Sequence, residues 1–193
     1  MVIWYLWFKS GKAASNTRVQ LLATLISVFF VMGITFGIAS LVPFRPRPYL
    51  NQDFNFVYLA PLNLTLSKMS SFPSDHAALF ISLSTGFLFV SKKIGLMAML
   101  YTIFLIFVPR LYLGYHYPTD LLAGSLIAAS ITSFFNYSTA IKRAISNGII
   151  PFVNKYPGCF YCVLFLITYQ ITDLFWGSRE ILHFLHMLYM RDL

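Results

Sequence analysis

The chain has 193 residues, 58% of them hydrophobic, 18% aromatic and only 10% charged. That balance excludes an ordinary water-soluble domain, in which about a quarter of residues are charged, and points to a protein that lives in a bilayer. The formal charge of +8 does not make it a nucleic-acid binder. Its basic residues are scattered at the ends of apolar runs, where topology signals and lipid headgroup contacts account for them.

In chain order, the opening MVIWYLWF is apolar but shorter than the roughly 17 residues a spanning helix needs. It reads as an interfacial anchor or the remnant of a helix. A signal peptide is not expected, because basic residues follow the apolar stretch and no small-residue cleavage site is evident. Uncharged runs then extend over Val19–Phe44, Ala77–Ser91, Ile94–Pro109, Leu121–Ile141 and Tyr156–Thr172. Each is near the roughly 20 residues that cross a hydrocarbon core. They predict an all-α, polytopic transmembrane bundle of about five spanning helices with short interfacial helices, forming one integral membrane domain over residues 1–193.

Between the runs, Asn51–Lys68 reads as a loop with a short interfacial helix. The C-terminal REILHFLHMLYM also fits an interfacial helix, in which His183 and His186 serve packing. Glu180 and His183 have the Glu-x-x-His spacing of di-iron bundles, but the second copy such a site needs is missing. Cys159 and Cys162 form a lone CxxC, too few ligands for structural zinc, and are read as helix packing. No metal and no cofactor are expected.

The charges orient the bundle. Segments 9–18, 91–93 and 142–155 share one side and carry Lys9, Lys12, Arg18, Lys92, Lys93, Lys142, Arg143 and Lys155. The other side receives 43–73, 110–118 and the C-terminal end. Its cations are Arg45, Arg47, Lys68, Arg110, Arg179 and Arg191, three of them in polar clusters suited to chemistry. By the positive-inside rule the first side is cytoplasmic. The clusters RPRPY, PSDH and RLYLGYHYPTD therefore meet at the extracytoplasmic face.

Ionisable groups beside membrane segments are costly and mark function by default. Here they are Arg45, Arg47, Ser74, Asp75, His76, Arg110, His116 and Asp120. Arginine forks match phosphate oxygens bidentately, so the set suits a multiply charged anion such as phosphate. Ser74 opens a helix, where its hydroxyl and the free backbone N–H groups can also face an anion. His116 and Asp120 are four apart around Pro118. If that turn is helical, the carboxylate can hold one ring nitrogen while the other attacks, with His76 free for general acid work. A carboxylate at Asp75 is unfavourable near phosphate unless it is paired or turned away.

RPRP, PSDH and R-x5-HYPTD, in this order within residues 40–124, resemble the three signature motifs of the type 2 phosphatidic acid phosphatase superfamily. The resemblance implies metal-independent dephosphorylation of a lipid phosphate through a phosphohistidine intermediate. It implies His116 as nucleophile, Asp120 as its partner, and His76 as general acid. Arg47, Arg110 and Ser74 would be phosphate ligands, with Arg45 and Asp75 beside them. Three positions depart from the family pattern: Ser40 stands where a lysine is usual, Pro109 replaces a serine before Arg110, and Asp75 replaces a glycine. The PSDH form is similar to the branch that includes bacterial undecaprenyl-diphosphate phosphatases. That implies undecaprenyl diphosphate as substrate and a bacterial cytoplasmic membrane with the site facing outward. Phosphatidylglycerophosphate, phosphatidic acid or a lipid A phosphate keeps the same chemistry, as does a phosphotransferase. A non-catalytic lipid-phosphate binder or transporter is the alternative from another class. The expected partners are the lipid substrate and membrane lipids, with no nucleic acid.

Overall fold

The computed structural model describes residues 1–9, 14–51 and 69–174. It is helical, with no strand among the described residues. The elements are α1 (Val2–Lys9), α2 (Ala14–Leu41), a 3₁₀ turn (Pro48–Leu50), α3 (Asp75–Val90), α4 (Lys92–Tyr112), α5 (Pro118–Tyr137), α6 (Thr139–Ala144), α7 (Ile150–Lys155) and α8 (Pro157–Thr172). The chain forms two compact units, Met1–Asn147 and the part from Gly148 onward. Of the expected Asn51–Lys68 loop, residues 52–68 lie outside the described residues, as do Glu180, His183 and His186 with the readings made of them.

In the first unit α3 packs against α5, α2 and α4, and α2 packs against α5. A helix enclosed this way must be apolar or small on nearly every face. Accordingly α3 buries Ala77, Ala78, Leu79, Ile81, Ser82, Ser84, Thr85, Gly86 and Phe87. Val31, Ala78, Ile81 and Ala128 form one core cluster, with Met99, Phe107, Ala129 and Ile131 against it. Leu96, Met97, Leu100, Phe104 and Leu105 of α4 stay exposed, as lipid-facing side chains do.

The helices are joined by a polar seam as well as by packing. Thr132 on α5 meets the hydroxyls of Ser27 on α2 at 3.1 Å and Ser82 on α3 at 2.7 Å. One turn on, the Asn136 amide donates to Thr24 Oγ1 at 3.3 Å. Water cannot serve these groups in a bilayer, so they bond across helices, and small residues let the backbones approach. Gly86 faces the Thr24 side chain so closely that a Cβ there would overlap it.

Three helices, Ser15–Leu41, Lys92–Tyr112 and Pro118–Tyr137, are long and apolar enough to cross a membrane. Thr139–Lys155 with Pro157–Thr172 makes a fourth if the bent pair counts as one span. The chain is thus a multi-pass membrane protein, with three or four spans by length among the described residues, where about five runs were expected. The two short runs have local causes. α3 has 16 residues, about 24 Å of rise, because Ser74 caps it where the polar cluster begins. α8 likewise has 16 residues and opens at Pro157, whose ring ends the preceding helix.

In α4, Thr102–Phe107 widens into π geometry just ahead of Pro109, and Val108 N–H reaches back to the Ile103 carbonyl. Proline has no N–H for the regular ladder, and the wider turn resets the register before Arg110. In the second unit α8 buries Phe160, Leu164 and Ile171. Cys159 and Cys162 are free and exposed on another face. The packing role expected for them is therefore filled by the Phe160, Leu164 and Ile171 stripe.

Candidate active site

The site forms where three separate stretches are tied together by backbone bonds. Ser71 N–H donates to the Arg45 carbonyl at 2.9 Å, and Tyr49 N–H to the Gly114 carbonyl at 3.0 Å. Gly114 has φ of 67°, a left-handed conformation that glycine adopts without strain, and there the chain turns from α4 toward His116. The Tyr49 and Tyr115 rings meet edge to face at 5.8 Å. These contacts join the stretch after α2 to the loops that precede α3 and α5.

The start of α3 is pinned to the start of α5. Ser74 N–H donates to the Asp120 carbonyl at 3.1 Å. The Ser74 hydroxyl accepts from Ala77 N–H at 3.4 Å as the cap of α3, and Ser74 is fully buried. Gly124 lies beneath it, where an added Cβ would stand 2.5 Å from the Ser74 carbonyl oxygen. Asp120, Gly124, Ala128, Thr132 and Asn136 form one buried stripe at four-residue spacing, which turns the Asp120 end of α5 into the site.

His116 is buried, and its Nδ1 lies 2.9 Å from the Ser71 carbonyl. A carbonyl only accepts, so Nδ1 carries a proton and Nε2 is the ring nitrogen this bond leaves uncommitted. Asp120 was expected to hold this ring directly, but its Oδ2 is 3.8 Å from Nδ1, beyond a hydrogen bond. The reason is that the α5 helix starts at Pro118, so His116 lies in the turn before it and does not share its face. The Asp120 carboxylate accepts instead from Tyr117 N–H at 2.8 Å and from Arg45 Nη1 at 2.6 Å.

Arg45 also donates to Thr119 Oγ1 at 2.9 Å and lies 4.1 Å over the Tyr117 ring. It braces Asp120. Arg47 is buried and donates from Nη1 to the Tyr115 carbonyl at 3.0 Å. Burial lowers its pKa while Asp75 opposes that, and an arginine stays cationic in spite of it. Arg110 has a buried Nε with no hydrogen-bond partner among the described residues. A guanidinium N–H left open in a site is what an incoming oxyanion satisfies. Ser40, at the usual lysine position, is exposed and bonds back to the Phe36 carbonyl at 2.9 Å.

His76 stands one residue ahead of the apolar run that begins at Ala77. Its Nδ1 is 2.8 Å from Asp75 Oδ1, which also accepts the His76 backbone N–H at 2.8 Å. Burial pushes its pKa below 6.5, Asp75 works against that, and Arg110 and His116 add to it. Asp75, His76 and His116 each offer a ligand atom within 4.8 Å of the others. The spacing would admit a cation, but Arg47 and Arg110 both act on Asp75, and two fixed cations favour an anion in this place.

The predicted residues are thus gathered, with the Asp75–His76 pair close to His116 and guanidinium groups beside them. The sequence reading missed the Ser71 and Tyr115 carbonyls, since backbone acceptors leave no residue-type signal. It also missed Gly124, whose place one turn after Asp120 was a legible hint of close helix approach.

The sequence matches the family described as the PAP2 superfamily over residues 3–143. It is similar to undecaprenyl-diphosphatase BcrC of Bacillus subtilis (strain 168), 29% identical over 136 residues, which are 69% of this chain and 62% of that protein. It is also similar to the bacitracin transport permease protein BcrC of Bacillus licheniformis, 33% identical over 86 residues, 45% of this chain and 41% of that protein. The chain therefore spans less than two thirds of the length of either relative. No solved structure matches it significantly.

Proposed function

The chain belongs to the PAP2 superfamily, and from that premise we propose that it is a membrane lipid phosphatase acting through a phosphohistidine, without a metal. The observation that carries this reading is the pair of histidines. Each has Nδ1 committed to an acceptor, which leaves Nε2 of His116 to attack and Nε2 of His76 to exchange a proton.

In the first step His116 Nε2 forms a bond to the terminal phosphorus as the P–O bond to the leaving group breaks. His76 gives its proton to the leaving oxygen. Arg47 and Arg110 hold the equatorial oxygens, where positioned cations stabilise the charge of the transition state. In the second step water attacks phosphorus, His76 takes the water proton, and the P–N bond breaks to release orthophosphate. Ser74 contributes through the helix start it caps, and Asp120, braced by Arg45, supports the positive charge that develops on His116.

The substrate is undecaprenyl diphosphate, converted to undecaprenyl phosphate. The PSDH motif and the Bacillus subtilis relative's name support it. The single domain resides in the bacterial cytoplasmic membrane with the site on the outer side, as the distribution of lysine and arginine supports. The Bacillus licheniformis relative, described as a transport permease, favours the second reading of a non-catalytic lipid-phosphate binder.

Phosphate release in detergent with EDTA separates the two. Farnesyl or undecaprenyl diphosphate, phosphatidic acid and phosphatidylglycerophosphate are compared for wild type and His116→Ala. Release from the isoprenoid diphosphate in EDTA, lost in the variant, is expected. No release from any of these lipids by folded protein rejects the phosphatase.

A further inference from the structure

Asp75 stands where a carboxylate is costly, beside a site for an anion. It lies within the fields of Arg47 from the stretch after α2 and Arg110 from α4. Yet its Oδ1 accepts both Nδ1–H and the backbone N–H of His76 at 2.8 Å. The two bonds differ in consequence. The backbone bond occupies one of the free donors at a helix start, which any capping acceptor can do. The ring bond fixes the imidazole's orientation and tautomer and favours its protonated form. We infer that Asp75 is a positioning residue for His76, the carboxylate of a carboxylate–histidine dyad that serves the proton-transfer histidine instead of the nucleophile.

The inference rests on the phosphatase reading for its catalytic meaning, but the dyad itself is testable without turnover. The groups facing His76 are Asp75 on its own helix, Arg110 from α4 and His116 from the loop before α5. Both of the latter disfavour the imidazolium, and Asp75 is the group that favours it. As a ligand of phosphate Asp75 would be repulsive. As the partner of His76 it lets the ring be neutral when it must take a proton from water and charged when it must give one to the leaving oxygen. No atoms are transferred to Asp75 itself; the proton stays on the imidazole Nδ1 throughout.

The test uses Asp75→Asn in the full chain, since the amide oxygen can still accept both bonds and only the charge is lost. Histidine-labelled protein in micelles is titrated by NMR, with His76→Gln assigning the resonance among the four histidines. The His76 pKa is expected to fall by about one unit or more. In phosphate release, kcat with an alcohol leaving group is expected to fall about tenfold, and with p-nitrophenolate much less, because the latter needs little protonation. KM should not rise, since a negative charge near the anion has been removed. In a His76→Gln background the Asp75 change should add almost nothing.

An unmoved His76 titration overturns the inference, whatever the activity. So does a higher KM at unchanged kcat, which would assign Asp75 to arranging the arginines. A shifted titration in protein that releases no phosphate retains the dyad and rejects the phosphatase reading, so the two failures are told apart.

Discussion

Gly124→Ala tests how the site is held. The added Cβ would lie 2.5 Å from the Ser74 carbonyl oxygen, 0.9 Å short of the 3.4 Å at which ordinary contact begins. It would also press on Ala77 Cβ and Ala78 N, both at 3.3 Å. All three atoms belong to the first turn of α3 or its cap, so no flexible side-chain end can yield. The turn carrying Ser74, Asp75 and His76 must move from α5 by up to that gap, away from His116. Overpacking costs about 1–3 kcal/mol, and exchanging glycine for alanine inside a helix returns about 1 kcal/mol, so net stability should fall by only about 0–2 kcal/mol. Activity should suffer far more, because a displacement near 1 Å between reacting groups can cost about a hundredfold. The assay pairs thermal unfolding in detergent with phosphate release from the isoprenoid diphosphate. A variant with wild-type kcat would refute the idea that this contact sets the distance between the two histidines.

Replacing Arg45 with alanine leaves the fully buried Asp120 without its cation. Because Arg45 is itself 37% exposed, the loss should be about 1–3 kcal/mol, below that of a fully enclosed pair, and seen as a lower melting temperature. Its KM for lipid phosphate should change little if Arg45 braces Asp120, whereas a large rise would make it a direct ligand. Thr132→Val removes the hydroxyl joining Ser27 and Ser82, about 18 Å along α5 from Asp120. It should cost about 1 kcal/mol of stability and leave kcat unchanged; a lost kcat with intact stability would contradict a purely structural seam. The lowered His76 pKa means a neutral ring in the free protein at about pH 7, and a bound dianion should draw a proton onto it. Inhibition by sulfate, which does not titrate in this range, should therefore strengthen from about pH 8 to about pH 6 and lose that dependence in His76→Gln. Sulfate affinity that ignores pH in the wild type would count against His76 facing the anion.

Composition and periodicity alone determined that the chain is an all-α membrane bundle, because nothing but helices and closed barrels satisfies backbone groups in hydrocarbon. Spacing and topology together singled out RPRP, PSDH and HYPTD, since charged groups persist beside a bilayer only where something holds them. What those side chains bond to was decided by tertiary structure. Residues four apart share a face only if the helix includes both, and α5 begins at Pro118, after His116. So His116 turned to the Ser71 carbonyl, Asp120 to Arg45 and the Tyr117 N–H, and Asp75 to His76. The length of α3 was likewise decided by where Ser74 is pinned against α5 rather than by its apolar run. Residue types can announce that an anion site exists; which donor meets which acceptor depends on distances of a few tenths of an ångström, and these appear only when the helices pack.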